Sequence, residues 1–211
     1  MLPPLAVLLI GGVLAFFALR PSTGAASTTV PSIAGMSTLP AEAPLQTLSP
    51  VFTPEIQYWG KWLQAWAAEV GVDPNLAATV MQIESCGNPL ARSRAGAMGL
   101  FQVMPFHFTA SDDPYDPATN ARRGLAYLKR SLAAAGGDPR LALAGYNGGI
   151  SVIKRPESSW TAETQRYVFL GSGIYADALS GSSQGPHLQS WLAEGGASFC
   201  RTAARSLGIS P

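Results

Sequence analysis

Charge is scarce in this chain. Asp, Glu, Lys and Arg make up only 13% of its 211 residues, against about a quarter in a typical globular protein. Two biased segments near the N-terminus account for part of that deficit. The formal net charge of +1 leaves no basic footprint for nucleic acid and no long-range electrostatic attraction for a partner. Histidine is almost absent: His107 and His187 stand alone, without metal-ligand spacing, so no metal is expected. No phosphate-binding glycine loop is present, and no cofactor is expected. Cysteine is limited to Cys86 and Cys200, and Cys86 has no neighbouring His or Asn of the kind that activates a thiol nucleophile. Alternating strand patterns are missing as well.

Long apolar runs are not missing. Leu2 to Leu19 is nearly all apolar, long enough as a helix to match the hydrocarbon core of a bilayer. Residues 1–20 are therefore expected to form a signal-anchor or a signal peptide, with Gly24-Ala25-Ala26 as a passable cleavage site. From Pro21 to Pro50 the chain is rich in Ser, Thr, Ala and Pro, and Glu42 is its only charged residue. Such a composition builds no core, so residues 21–52 are expected to be a disordered linker.

Helical periodicity begins near Thr53. Ile56, Trp59, Trp62, Leu63 and Trp66 recur at spacings of three and four, which predicts one helix over Pro54 to Val70 with an aromatic core face. Asp73-Pro74 opens a second helix, with Leu76, Val80 and Ile83 inward, stopped by Gly87 and Pro89. Asp116-Pro117 opens a third, with Ala121, Leu125, Leu128 and Leu132 inward and Gly136-Gly137 at its end. Asp138-Pro139 opens a shorter one leading to Tyr146. Thr161 caps a further helix carrying Tyr167, Phe169 and Tyr175, weakened by Gly171 and Gly173. A flexible joint at Ser180 to Gly185 then precedes a terminal helix bearing Trp191, Leu192, Phe199, Cys200, Ala203 and Leu207 on one side. The expected fold class is all-α.

Three segments carry a resemblance: Ile83-Glu84-Ser85, Gly99-Leu100-Phe101-Gln102 and Gly145-Tyr146-Asn147-Gly148-Gly149. They occur in the order of the hallmarks of the soluble-lytic-transglycosylase (SLT) family, relatives of goose-type lysozyme, which the chain resembles over roughly Thr53 to Leu179. Two departures are a Phe at 101 where the family usually has Met, and Gly148 in place of the usual Ala, which is expected to loosen the turn. The resemblance implies a lysozyme-like helical domain over 53–179, with 180–211 as a C-terminal extension packing back on it. It also implies that Glu84 is the single catalytic acid and base. Ser93, Gln102, Met104, Tyr146, Asn147, Glu163 and Tyr167 match family positions that bind substrate or line the cleft.

The activity so implied is cleavage of peptidoglycan glycan strands between N-acetylmuramic acid and N-acetylglucosamine, ending in a 1,6-anhydro sugar. Most glycosidases use two carboxylates. The second candidates here are Asp112, Asp113 and Asp116, each better explained as a turn residue or helix cap. Alternatives are a lysozyme-like hydrolase on the same fold and an inactive peptidoglycan-binding or assembly module. The expected location is the cell envelope, either anchored in the membrane by the N-terminal helix or secreted after signal cleavage. A role in a secretion, conjugation or phage assembly machine is compatible with this, but no partner motif specifies one. In an exported protein an even cysteine count suggests a Cys86–Cys200 disulfide, which would fasten the C-terminal tail beside Glu84; two unrelated buried thiols are the other reading.

Overall fold

The computed structural model describes residues 48–181 and 183–209. The apolar run at 1–20 and the linker up to residue 47 lie outside the described residues. No helix among the described residues is long and apolar enough to cross a membrane.

The architecture is all-helical, as the sequence predicts. Among the described residues eight α-helices follow one another: α1 Pro54–Tyr58, α2 Gly60–Val70, α3 Pro74–Ser85, α4 Pro117–Ala134, α5 Pro139–Gly148, α6 Ala162–Leu179, α7 Pro186–Trp191 and α8 Ala197–Leu207. Among the described residues the only β-type pairings are isolated bridges, Arg92 with Met98 and Met98 with Val103. Four helices start where a capping oxygen meets free backbone N–H groups. The Asp73 carboxylate accepts from Asn75 and Leu76, Asp116 from Thr119, and Asp138 from Arg140 and Leu141, each followed by Pro in the first turn. The Thr161 hydroxyl accepts from the Thr164 N–H. Each cap is worth about 1 kcal/mol.

α3 is the central element, packed against α1, α2, α6 and α8. Ala77, Ala78, Val80, Met81 and Gln82 are fully buried along it. The aromatic stripe is core, as its spacing suggests: Tyr58, Trp59, Trp62 and Trp66 form a chain of ring contacts with centroids 5.2–6.1 Å apart. The stripe is carried on two helices rather than one. The break falls at Trp59, whose indole N–H donates to the Gly87 carbonyl at 2.8 Å. That tertiary bond holds the α1–α2 junction under the loop that follows Glu84.

Several boundaries differ from the sequence expectation. The segment 48–52, expected within the linker, is packed: Leu48, Val51 and Phe52 are buried, and the Ser49 N–H donates to the Asn75 side chain at 2.8 Å. Three apolar side chains in five residues find a surface on the domain, which composition averaged over the linker conceals. Phe169 does not face the core; it is 70% exposed, because Tyr167, Val168, Leu170 and Ile174 already occupy the buried arc of α6. Gly171 and Gly173 are notches rather than weak points. A Cβ at Gly173 would lie 2.4 Å from the His187 ring, and one at Gly171 would lie 3.0 Å from Leu143.

The terminal helix is also divided. α7 runs into a π-type turn, Leu192–Gly196, where Gly195 has φ 121° and breaks the path before α8. The Asp177 carboxylate on α6 caps α7, accepting from the His187 and Leu188 N–H groups, and pairs with His187 Nδ1 at 2.8 Å. α8 is bonded to the domain through Cys86–Cys200, with Cα atoms 5.0 Å apart. The buried Gln82 amide faces both sulfurs, at 3.0 and 3.6 Å.

Candidate active site

Glu84 is the penultimate residue of α3. Cys86 ends that helix in the left-handed region, at φ 51°, so the chain turns sharply two residues after the acid. Ser85 is buried and ties down the neighbouring loop: its hydroxyl donates to the Leu100 carbonyl at 2.7 Å and accepts from the Gly87 N–H at 3.1 Å. The Ser of the Glu-Ser pair thus fixes the carboxyl-bearing turn against the segment 99–102.

That segment rests on a residue the sequence reading passed over. Asn120 on α4 is fully buried. Its oxygen accepts from the Phe101 N–H at 2.9 Å, and its amide donates to the Met98 and Pro114 carbonyls at 2.7 and 2.9 Å. Gly99, at φ 74°, is required by this contact, since a Cβ there would fall 2.2 Å from the Asn120 amide nitrogen. Gly124 similarly admits Phe101, whose Cβ would lie 2.4 Å from a Cβ at that position. A buried Asn inside a helix was the available signal; its partners are too distant in sequence to be read from it.

A cavity of about 550 Å³ opens at Glu84. Ile83, Asn147, Glu163, Tyr167 and Leu170 line it with Glu84, together with residues of the Trp191–Phe199 segment. Asn147, Glu163 and Tyr167 therefore share one space with the carboxyl. Asn147 is set by the Thr164 hydroxyl, which donates to its side-chain oxygen at 2.9 Å. Gly148 does not loosen this turn; a Cβ there would lie 2.9 Å from the Thr164 hydroxyl, so glycine lets α5 close on α6. Ser93, Gln102 and Met104 do not line this cavity. The Ser93 hydroxyl accepts from the Ala97 N–H at 3.0 Å. The Gln102 amide donates to the Ala91 and Gly99 carbonyls at 3.2 and 3.0 Å, and Gln102 sits at φ 46°. Both side chains shape the 91–104 loop, and Met104 precedes the short 3-10 turn Pro105–His107.

The electrostatics converge on Glu84. Burial pushes its carboxyl up from 4.5 to about 8; the Tyr167 phenol opposes that rise and the Glu163 charge adds to it. Its place at a helix C-terminus acts in the same upward direction, because the carbonyl end of the helix disfavours an anion. The Tyr167 hydroxyl is buried and makes no hydrogen bond of normal length among the described residues. It acts on Glu84 as a neighbouring phenol. Burial, with the Glu84 charge second, also raises the Tyr146 phenol well above its ordinary value. Tyr146 donates to the Phe101 carbonyl at 2.8 Å and meets the edge of Tyr127 at 5.6 Å. Tyr127 lies on α4 and backs Tyr146 without lining the cavity.

The other acids proposed as partners are used locally. Asp112 accepts from the Thr109 N–H and pairs with Arg123 at 2.6 Å; Asp113 accepts from the Tyr115 N–H; Asp116 caps α4. Glu163 and Glu194 line the cavity with Glu84, and Glu194 is paired with Arg166.

A half-buried acid held neutral near pH 7, beside phenols and amides, suits proton transfer to a neutral polar substrate. The chain is similar to known proteins over part of its length. The transglycosylase of Enterobacteria phage PRD1 is 39% identical over 113 residues, covering 52% of this chain and 40% of that protein. Membrane-bound lytic murein transglycosylase C of Haemophilus influenzae is 39% identical over 77 residues, covering 29% and 21%. The chain thus spans less than half the length of these curated relatives. Among solved structures, the lytic transglycosylase Slt of Pseudomonas aeruginosa aligns at 27% identity with a TM-score of 0.47, over 58% of this chain and 24% of that one. The model of the transglycosylase SLT domain matches residues 61–169, just over half of the chain and the whole stretch from α2 to the Tyr167 turn, and on that match the chain belongs to the transglycosylase SLT domain family.

Proposed function

We propose that this protein is a peptidoglycan lytic transglycosylase with Glu84 as its single acid and base. One observation carries the reading: a carboxyl raised to about 8 that lines an open cavity with amide, phenol and carboxylate neighbours. A neutral Glu84 donates its proton to the oxygen linking N-acetylmuramic acid to N-acetylglucosamine. The bond from that oxygen to the muramyl C1 breaks, and the substrate's own acetamide oxygen stabilises the positive charge on C1. Glu84, now a carboxylate, takes the proton from the muramyl 6-hydroxyl as that oxygen bonds to C1. Glu84 ends neutral, no water is consumed, and the product is a 1,6-anhydro sugar. Tyr167 and Glu163 tune the proton affinity in opposite directions; Asn147 supplies an amide to the sugar.

A second reading has one supporting observation. Glu163 shares the cavity, and a second carboxylate suits a hydrolase that activates water.

The same proposal includes the domain plan and location: residues 1–20 as an anchor or signal, 21–47 as a tether, the catalytic domain to residue 179, and 180–211 as its extension. The cell envelope fits the disulfide and the name of one relative, the membrane-bound lytic murein transglycosylase C. The test is Glu84→Gln. The variant should fold and release no glycan fragments from purified peptidoglycan. Release near the parent rate by a folded variant overturns the assignment, and a parent that binds peptidoglycan without releasing anything makes it a binding module.

A further inference from the structure

The family match stops at residue 169, but the cavity holding Glu84 does not. Trp191, Glu194, Gly195, Gly196 and Phe199 form a wall of it. This wall is built. The π-type turn puts the Glu194–Gly196 backbone at the cavity, and only glycine reaches the φ of 121° at Gly195 without strain. Gly196 lies on the buried Trp191 indole, where a Cβ would fall 2.4 Å from the ring. Three ties then fix the segment to the catalytic domain. Cys200, next to Phe199, is bonded to Cys86, two residues after Glu84. Arg166 on α6 pairs with Glu194 at 2.7 Å. The Ser206 hydroxyl donates to the Asn88 side chain at 3.0 Å.

Phe199 stands out within this wall. Trp191 and Cys200 are buried, whereas Phe199 is 54% exposed while lining the cavity. A phenyl face in a cavity continuous with a proton-donating acid suits the apolar face of a pyranose ring, and the Arg166–Glu194 pair gives the same space a polar edge for hydroxyl and acetamide groups.

We propose that the Trp191–Phe199 segment is a saccharide-binding subsite, with Phe199 as its aromatic platform, engaging the glycan strand beside the sugars at Glu84. This rests on the glycan-cleaving reading above. It makes the C-terminal extension part of the substrate cleft, and it makes the disulfide the device that keeps the platform in register with the acid.

The test titrates N-acetylglucosamine oligosaccharides of increasing length into the full chain carrying Glu84→Gln, which binds without turnover, and into the same protein with Phe199→Ala, Phe199→Leu or Phe199→Tyr. Loss of one stacking contact should weaken binding of the longer oligosaccharides about five- to tenfold in the Ala and Leu variants. Tyr should restore it, and the unfolding midpoint of this exposed position should hardly move. In proteins with Glu84 intact, Phe199→Ala should raise KM for glycan strands and leave kcat near the parent value. Equal affinity in all four proteins, with the parent still releasing fragments, overturns the subsite and leaves the activity standing. No binding by any of them overturns the subsite, and absence of release by the parent would additionally remove the reading on which it rests.

Discussion

Replacing Glu84 by Gln should make the protein more stable, and the gain should grow with pH. The folded protein holds the carboxyl proton up to about pH 8, while an unperturbed Glu releases it near 4.5. Below the lower value both states bind the proton, and the carboxyl contributes no pH dependence. Between the two values the unfolded chain has lost its proton and the folded chain has kept it, so stability falls as pH rises. Above the upper value the loss is complete. Each tenfold change in proton affinity corresponds to about 1.4 kcal/mol. With Glu84 half-buried, solvent screening leaves roughly 2–4 kcal/mol of the full shift. For a domain of this size that is roughly 5–15 °C in Tm. Gln keeps the shape and removes the titration. Urea unfolding of parent and Glu84→Gln, with the disulfide intact, should give curves that coincide near pH 4 and separate steadily to about pH 8.5. A constant difference across that range would mean that Glu84 is not held neutral, and the proton-donor assignment would lose its physical basis.

Further outcomes follow from the same geometry. Fragment release should decline as pH rises through about 8, where Glu84 loses the proton it must donate. Tyr167→Phe removes a group that favours the charged carboxyl, so the alkaline limb should move up; Glu163→Gln removes a charge that disfavours it, so the limb should move down. Shifts in the same direction in a pH–rate profile would contradict this arrangement. Asn120→Ala strands the Phe101 N–H and the Pro114 carbonyl and leaves the Met98 carbonyl only its bond from the Val103 N–H, and should cost roughly 2–4 kcal/mol by chemical denaturation. Cys86→Ser with Cys200→Ser opens a loop with a sequence separation of 114, and should lower stability by up to about 4–5 kcal/mol in the chain-entropy picture; an unchanged midpoint would show that the extension is held by packing alone.

What the sequence made legible was local. Asp73, Asp116, Asp138 and Thr161 announce their helices because a cap acts on N–H groups two or three residues away. Glu84 at the end of an apolar helix was visible for the same reason. What stayed hidden depends on distant partners. The break at Trp59 is fixed by the Gly87 carbonyl. The packing of Leu48, Val51 and Phe52 needs a surface made elsewhere. Asn120 was one polar residue in a helix until its three backbone partners were in place. Ser93 and Gln102 matched substrate-binding positions, yet their polar groups bond to their own loop. Glu163 shares the cavity with Glu84 because α6 brings it there, while the Asp cluster at 112–116, closer in sequence, is used in turns and a cap.

The central claim is that one carboxyl does both proton transfers and that the muramyl 6-hydroxyl, rather than water, attacks C1. Mass spectrometry of fragments released from purified peptidoglycan by the full chain, with Glu84→Gln as control, tests it most directly. The single-carboxylate route predicts fragments lighter by one water than hydrolysis products, made only by the parent. Reducing-end fragments would contradict it and transfer the role of base to Glu163 and a bound water.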